Sequence, residues 1–166
     1  MNDAGAKVVD LIFGRWRSQI LYTGVKLGVF DALARGPKSA VRVASELDVD
    51  AGMLYRLMRA LGSLELLKED NTRTFALTPL GELLCRDHPH SLRAMTLLEE
   101  GPELYAAWKH LADLIREGQQ DGFSREFGQP VWEYAIQHPS YGAVFNEAMS
   151  SYSSMDNAFV LEALDH

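Results

Sequence analysis

The stretch from Val43 to Glu69, VASELDVDAGMLYRLMRALGSLELLKE, decides the fold. Val43, Ala44 and Leu47 recur at helical spacing, and so do Leu54, Leu57, Met58 and Leu61. Asp48-Val49-Asp50 between them reads as a turn. Asp50 is placed to cap the second helix, because its carboxylate can accept the N–H groups that a first helical turn leaves without partners. Ser39 is the matching cap candidate for the first helix. Leu66 to Glu69 and Thr74 to Leu77 flank the turn-forming Asp70-Asn71-Thr72-Arg73 and read as a β-hairpin. Helix, turn, helix and hairpin in that order predict a winged helix-turn-helix.

Working outward, the chain is helical on both sides. Val8, Val9, Ile12, Phe13, Trp16 and Ile20 step by three and four and describe one broad apolar face of a first helix. A second helix is expected from Thr23 to Ala34, ended by Gly36-Pro37. Thr78-Pro79 starts another, since proline fits a first helical position whose N–H has no partner in any case. Further helices are expected over 92–99, 102–117, 131–136 and from Pro139 to about Met155, with a polar linker from Gly118 to Gly128. The fold class expected is mainly α: a winged helix-turn-helix with a small β-hairpin plus additional helices. Residues 1–90 read as the winged-helix domain and 91–166 as a helical extension.

Composition narrows the function. Apolar residues make up 47% and charged residues 23% of the 166, enough apolar surface to offset the entropy of ordering. The net charge of −7 disfavours a polyanionic partner, because phosphate binding relies on clustered Lys and Arg. Arg56 and Arg59, beside Tyr55 on the second helix of the helix-turn-helix, are the residues that would enter a DNA groove in a regulator. A winged-helix regulator or a small-molecule-binding dimer is therefore the alternative, and no nucleic acid partner is expected. The lone Cys85 offers neither an intrachain disulfide nor a zinc site, which suits a reducing cytoplasm. The start carries no signal-peptide pattern, and no run of 18 apolar residues suggests a membrane span.

Few side chains carry chemistry. His88, His90, His110, His138 and His166 lack metal-ligand spacing, so none is assigned to metal or catalysis. No glycine-rich turn between a strand and a helix, of the kind that cradles a nucleotide-like cofactor, occurs anywhere. Phe145, Met149 and Tyr152 share one helical face, which suits either core packing or the wall of an apolar pocket. Trp108, with Leu104, Leu111 and Leu114, is a core pattern first and a pocket wall second. Ser153 lies in a serine-rich stretch that could equally be a solvated turn.

GRWRSQILYTGVKLGVFD, residues 14–31, resembles the opening helices of small-molecule S-adenosylmethionine-dependent O-methyltransferases of the acetylserotonin, caffeate and polyketide-tailoring type. The segment Val43 to Glu69 is similar to that family's dimerisation domain. Trp108, Phe127-Gly128, Trp132-Glu133-Tyr134, Pro139 and Phe145-Asn146-Glu147-Ala148-Met149 follow its pattern downstream. The resemblance implies a homodimer through the N-terminal helices and a small aromatic hydroxyl acceptor against Phe145, Met149, Tyr152 and Trp108. It places Ser153 near the cofactor, and residues 91–166 as a substrate lid leading into a Rossmann-like core. That core, which in the family holds S-adenosylmethionine and the catalytic base, is expected to be absent from this chain. Activity is thus expected of a parent polypeptide, with no catalytic residue, cofactor binding or turnover in the chain alone.

Overall fold

A computed structural model of the chain describes residues 3–164, with side chains as far as Ser153; of the histidines named above, His166 lies outside the described residues. The structure is mainly helical with one small antiparallel sheet, and it divides into two compact units, Met1–Ser91 and Leu92–His166.

The first unit runs α1 (Asp3–Ile12), α2 (Gly14–Leu27), α3 (Val29–Leu33), β1 (Lys38–Ser39), α4 (Ala40–Leu47), α5 (Ala51–Ser63), β2 (Leu67–Glu69), β3 (Thr74–Leu77) and α6 (Pro79–Glu82). All three expected caps form. Ser39 Oγ accepts from the Arg42 N–H at 3.3 Å, Asp50 Oδ1 from Met53 at 2.7 Å, and Thr78 Oγ1 from Gly81 at 3.2 Å. The hairpin turn is held by Asp70, whose Oδ1 accepts from the backbone N–H groups of Thr72 and Thr74 at 2.8 and 2.9 Å. The side chain and backbone of Thr72, with the Thr74 backbone, hold the Asp70 carboxyl below its ordinary pKa. Val25, Val29, Phe30, Leu33, Val43, Leu54, Met58, Leu61 and Phe75 are buried together in the core of this unit.

The structure corrects several expected boundaries. The first helix breaks at Phe13, between α1 and α2. The helix expected from Thr23 to Ala34 is interrupted at Gly28, which takes φ 83° and ends α2 by donating its N–H to the Gly24 and Val25 carbonyls. Only glycine adopts that conformation at low cost, and the turn sends Val29, Phe30 and Leu33 into the core. The hairpin gains a third strand: β1 pairs with β3, Lys38 opposite Phe75, in the order β1-β3-β2. Two residues are too few to show a period-2 pattern, so β1 has no signature of its own.

The second unit runs α7 (Arg93–Glu99), α8 (Pro102–Ala107), a 3₁₀ turn (Trp108–His110), α9 (Leu111–Glu117), α10 (Gly122–Phe127), α11 (Val131–Gln137) and α12 (Pro139–Leu164). The single helix expected over 102–117 is thus three pieces, and the expected linker contains α10. The tight turn brings Lys109 and His110 together against Glu126 of α10, at 2.6 and 2.8 Å. Those two contacts, Lys109 first, lower the Glu126 pKa. Phe123 of α10 meets Tyr134 of α11 edge to face and Phe127 meets it at a tilt, so the segment is tied by rings as well as charges. α7 packs along α12, burying Ala94, Leu98, Tyr141 and Ala148.

Candidate functional site

α12 carries Tyr141, Phe145, Ala148, Met149 and Tyr152 at steps of three and four, hence on one face. The lower end of that face is core. Tyr141 and Ala148 are buried, with Leu104, Val131, Tyr134, Ala135, Val144 and Phe145 packed against the cluster. α11 approaches so closely that a Cβ on Gly142 would sit 2.4 Å from the Ala135 carbonyl oxygen. The upper end opens: Phe145 and Tyr152 are half-buried and Met149 is 38% exposed. The three residues expected to form a pocket wall are therefore brought onto one face that is not sealed.

Polar groups stand at the edge of this face. The Tyr152 hydroxyl donates to Glu99 Oε1 of α7 at 2.5 Å. Burial, then the bond to Glu99, pushes the Tyr152 pKa up to about 12. Tyr141 is pushed up to about 12 as well, by burial first and then by the Glu103 carboxylate. Both hydroxyls therefore stay protonated at neutral pH. Neither Tyr141 nor Glu99 is legible as a site residue in the sequence. Tyr141 sits one turn before Phe145 on the same stripe, which was the available signal. Glu99 is brought to Tyr152 only by the packing of α7 on α12.

The structure separates the other expected residues from this face. Trp108 is not core: it sits on the 3₁₀ turn with 67% of its surface exposed, because the turn rotates it out of the α8 periodicity. Ser153 is exposed and its Oγ donates to the Met149 carbonyl of its own helix. The described residues do not fit S-adenosylmethionine: one back-bonded hydroxyl makes no cradle of N–H donors, and no strand–glycine-turn–helix is present among them. No group of three or more His, Cys, Asp or Glu able to hold a metal ion occurs among the described residues. His138 instead stacks on Tyr134 at 3.8 Å.

The first unit carries a second feature, an uncovered apolar surface. On α1 and the following turn Val8, Leu11, Ile12, Phe13 and Trp16 are exposed, Leu11 by 78%. Between α2 and α5 lies an apolar groove of about 470 Å³, lined in part by Ile20, Leu27, Met53 and Leu57. Arg59 of α5 lies 3.6 Å from Glu69, and Tyr55 donates to the same carboxylate at 2.9 Å. One of the two arginines that a phosphate backbone would use thus stands beside a carboxylate. No described helix is long and apolar enough to cross a membrane.

Known proteins match both units. Residues 9–87 match the O-methyltransferase dimerisation domain, and residues 108–166 match the O-methyltransferase domain. The chain is 32% identical over 169 residues to a phenazine O-methyltransferase of Lysobacter antibioticus, covering 99% of this chain and 49% of that protein. It is 32% identical over 149 residues to a 3-amino-4-hydroxybenzoate 4-O-methyltransferase of Streptomyces cremeus, covering 89% and 40%. The crystal structure of human N-acetylserotonin methyltransferase in complex with SAM superposes with a TM-score of 0.86 at 28% identity, over 98% of this chain and 49% of that one. The chain spans about half the length, or less, of the curated relatives it matches. Carrying both domain matches in the family's order, and its fold, this chain belongs to the small-molecule, S-adenosylmethionine-dependent O-methyltransferases.

Proposed function

We propose that this chain is the dimerisation and acceptor-pocket part of an O-methyltransferase that moves a methyl group from S-adenosylmethionine to a hydroxyl of a small aromatic acceptor. The observation that carries the reading is the paired match of the dimerisation domain and the O-methyltransferase domain in one chain. The matched relatives named above act, by name, on a phenazine and an aminohydroxybenzoate, both flat aromatics. In this reading α4, α5 and the hairpin form a winged helix that serves dimerisation. The exposed face of α1 and the α2–α5 groove are the surface a second copy covers.

Phe145, Met149 and Tyr152 form one wall of the acceptor pocket, with Trp108 at its rim and Ser153 toward the cofactor. An apolar, polarisable wall excludes water and fixes the plane of an aromatic ring, and fixed geometry replaces a bimolecular encounter. The cofactor cradle and the base that takes the acceptor proton are assigned to the rest of the protein. We read the protein as cytoplasmic, without nucleic acid or membrane partners.

The test is methyl transfer by the full-length protein to a panel of phenols, beside calorimetric titration of the 166-residue chain with S-adenosylmethionine. Turnover in the former and no micromolar binding in the latter are expected. Micromolar binding to the chain alone would overturn the division of labour.

A further inference from the structure

No residue of α1 is buried, and the helix packs chiefly on α2. Val8, Leu11 and Ile12, at spacings of three and four, form an exposed stripe along it. A fork across the break at Phe13 sets its direction. Arg17 of α2 donates from Nη1 to Asp10 Oδ1, and from Nη2 to Asp10 Oδ2 and to the Asp10 carbonyl, the last two at 3.1 Å. The Phe13 and Trp16 rings, with centroids 4.4 Å apart, meet at the same break. An isolated exposed ion pair is worth little, but a two-pronged arginine–carboxylate contact that also holds a backbone carbonyl fixes geometry. In the same unit the apolar groove between α2 and α5 stands open, lined by Ile20, Leu27, Met53 and Leu57 with Asp50 and Arg56. The chain's own α1 leaves it unfilled, since the stripe is exposed. All of these groove residues fall within the match to a dimerisation domain over residues 9–87.

We infer that α1 is an arm, preset by the Asp10–Arg17 fork, whose Val8–Leu11–Ile12 stripe seats in the α2–α5 groove of a second copy, so that two copies exchange arms. The inference rests on the dimerisation reading above and deepens it, by assigning which surface meets which. Stripe and groove wall are both aliphatic, so seating one in the other removes apolar surface from water on both sides. Charge fits as well. α1 carries Asp3 and Lys7 on the flank beside Leu11, and the groove carries Asp50 and Arg56. Antiparallel seating against α5 sets Lys7 toward Asp50 and Asp3 toward Arg56. One two-fold pair then covers both stripes and fills both grooves, whereas arm-to-arm pairing would leave both grooves open. Asp10 and Arg17 are positioning residues: they hold the arm in its docking direction before contact, so less freedom is lost on pairing.

Disulfide trapping between two variants of the full 166-residue chain tests this, one of them carrying an affinity tag. Leu11→Cys and Met53→Cys change side chains that are 78% and 63% exposed, so both variants should fold, and the native Cys85 is buried. On mixing and mild oxidation, links between a Leu11→Cys chain and a Met53→Cys chain are expected to dominate over links within either variant. Sedimentation of Arg17→Gln should show a dimer Kd raised ~3–10-fold with helicity unchanged, on the scale of one charged hydrogen bond. The exchanged pair Asp10→Arg with Arg17→Asp should recover most of that loss, which a variant that had merely lost its fold would not do. If Leu11→Cys chains link to one another and not to Met53→Cys chains, α1 pairs with α1, and the exchange is wrong while dimerisation stands. If Arg17→Gln leaves the Kd unchanged, the fork does not preset the arm. If the wild-type chain is monomeric at tens of micromolar, the dimerisation reading fails and the exchange goes with it.

Discussion

Gly142 shows how much one missing methyl can decide. It has an ordinary helical backbone, so conformation alone would accept alanine, which is the better helix former. The Ala135 carbonyl 2.4 Å from its absent Cβ forbids it. Gly142→Ala is expected to destabilise the chain by ~1–3 kcal/mol, as forced overpacking does, read as a lower midpoint in thermal melting. A neutral or stabilising outcome would mean that α11 and α12 do not pack this closely. At the same scale, Tyr141 and Tyr152 are raised to about 12 from an ordinary 10.0. A raised pKa favours the protonated form in the folded state. Their contribution to stability is therefore complete below pH 10.0, the unfolded value, and lost as pH rises through about 12. Tyrosinate absorbance should resolve two late-titrating groups among the six tyrosines, and Tyr152→Phe should remove one.

Among the elements, caps matter more than propensity. α5 contains Gly52 and Gly62 and would be marginal alone, yet it buries Leu54, Met58 and Leu61. Asp50 fixes its start through the 2.7 Å bond from the Met53 N–H. Asp50→Ala should cost about 1 kcal/mol, whereas Asp50→Ser, which keeps an acceptor oxygen, should cost much less; chemical denaturation measures both. The α10 segment makes the opposite point. It is short and rich in charged and polar residues, and its order comes from Arg125 bonding Glu117 at 2.5 Å and Asp121 at 2.8 Å, from Lys109 and His110 on Glu126, and from the contact of its two phenylalanine rings.

For the whole molecule, the exposed apolar face of α1 is the feature that most needs a partner. No residue of α1 is buried, although Val8, Leu11 and Ile12 are large and apolar. Fully covering each such side chain is worth ~1.5–3 kcal/mol, and several per chain exceed the cost of ordering an interface. A two-fold pair is the commonest way to cover such a surface. The chain should therefore sediment as a dimer at micromolar concentration, and Ile12→Asp and Trp16→Asp should give folded monomers. A monomeric wild type, or dimeric variants, would remove this surface from the interface.

Local physics made much of this legible before any packing was known. A cap needs only a side-chain oxygen a few residues from the N–H groups it accepts, so Ser39, Asp50 and Thr78 could be placed from their order in the chain. The face shared by Phe145, Met149 and Tyr152 follows from 3.6 residues per turn alone. What periodicity cannot carry is whatever depends on a neighbour distant in sequence. The break at Gly28 answers to the core that Phe30 enters; β1 exists because β3 passes beside it; Trp108 faces outward because a 3₁₀ turn interrupts the helix there. Glu99 reaches Tyr152, 53 residues away, only through the packing of α7 on α12. The stripe was written along one helix, while the polar edge that gives it chemical character was assembled by tertiary contact.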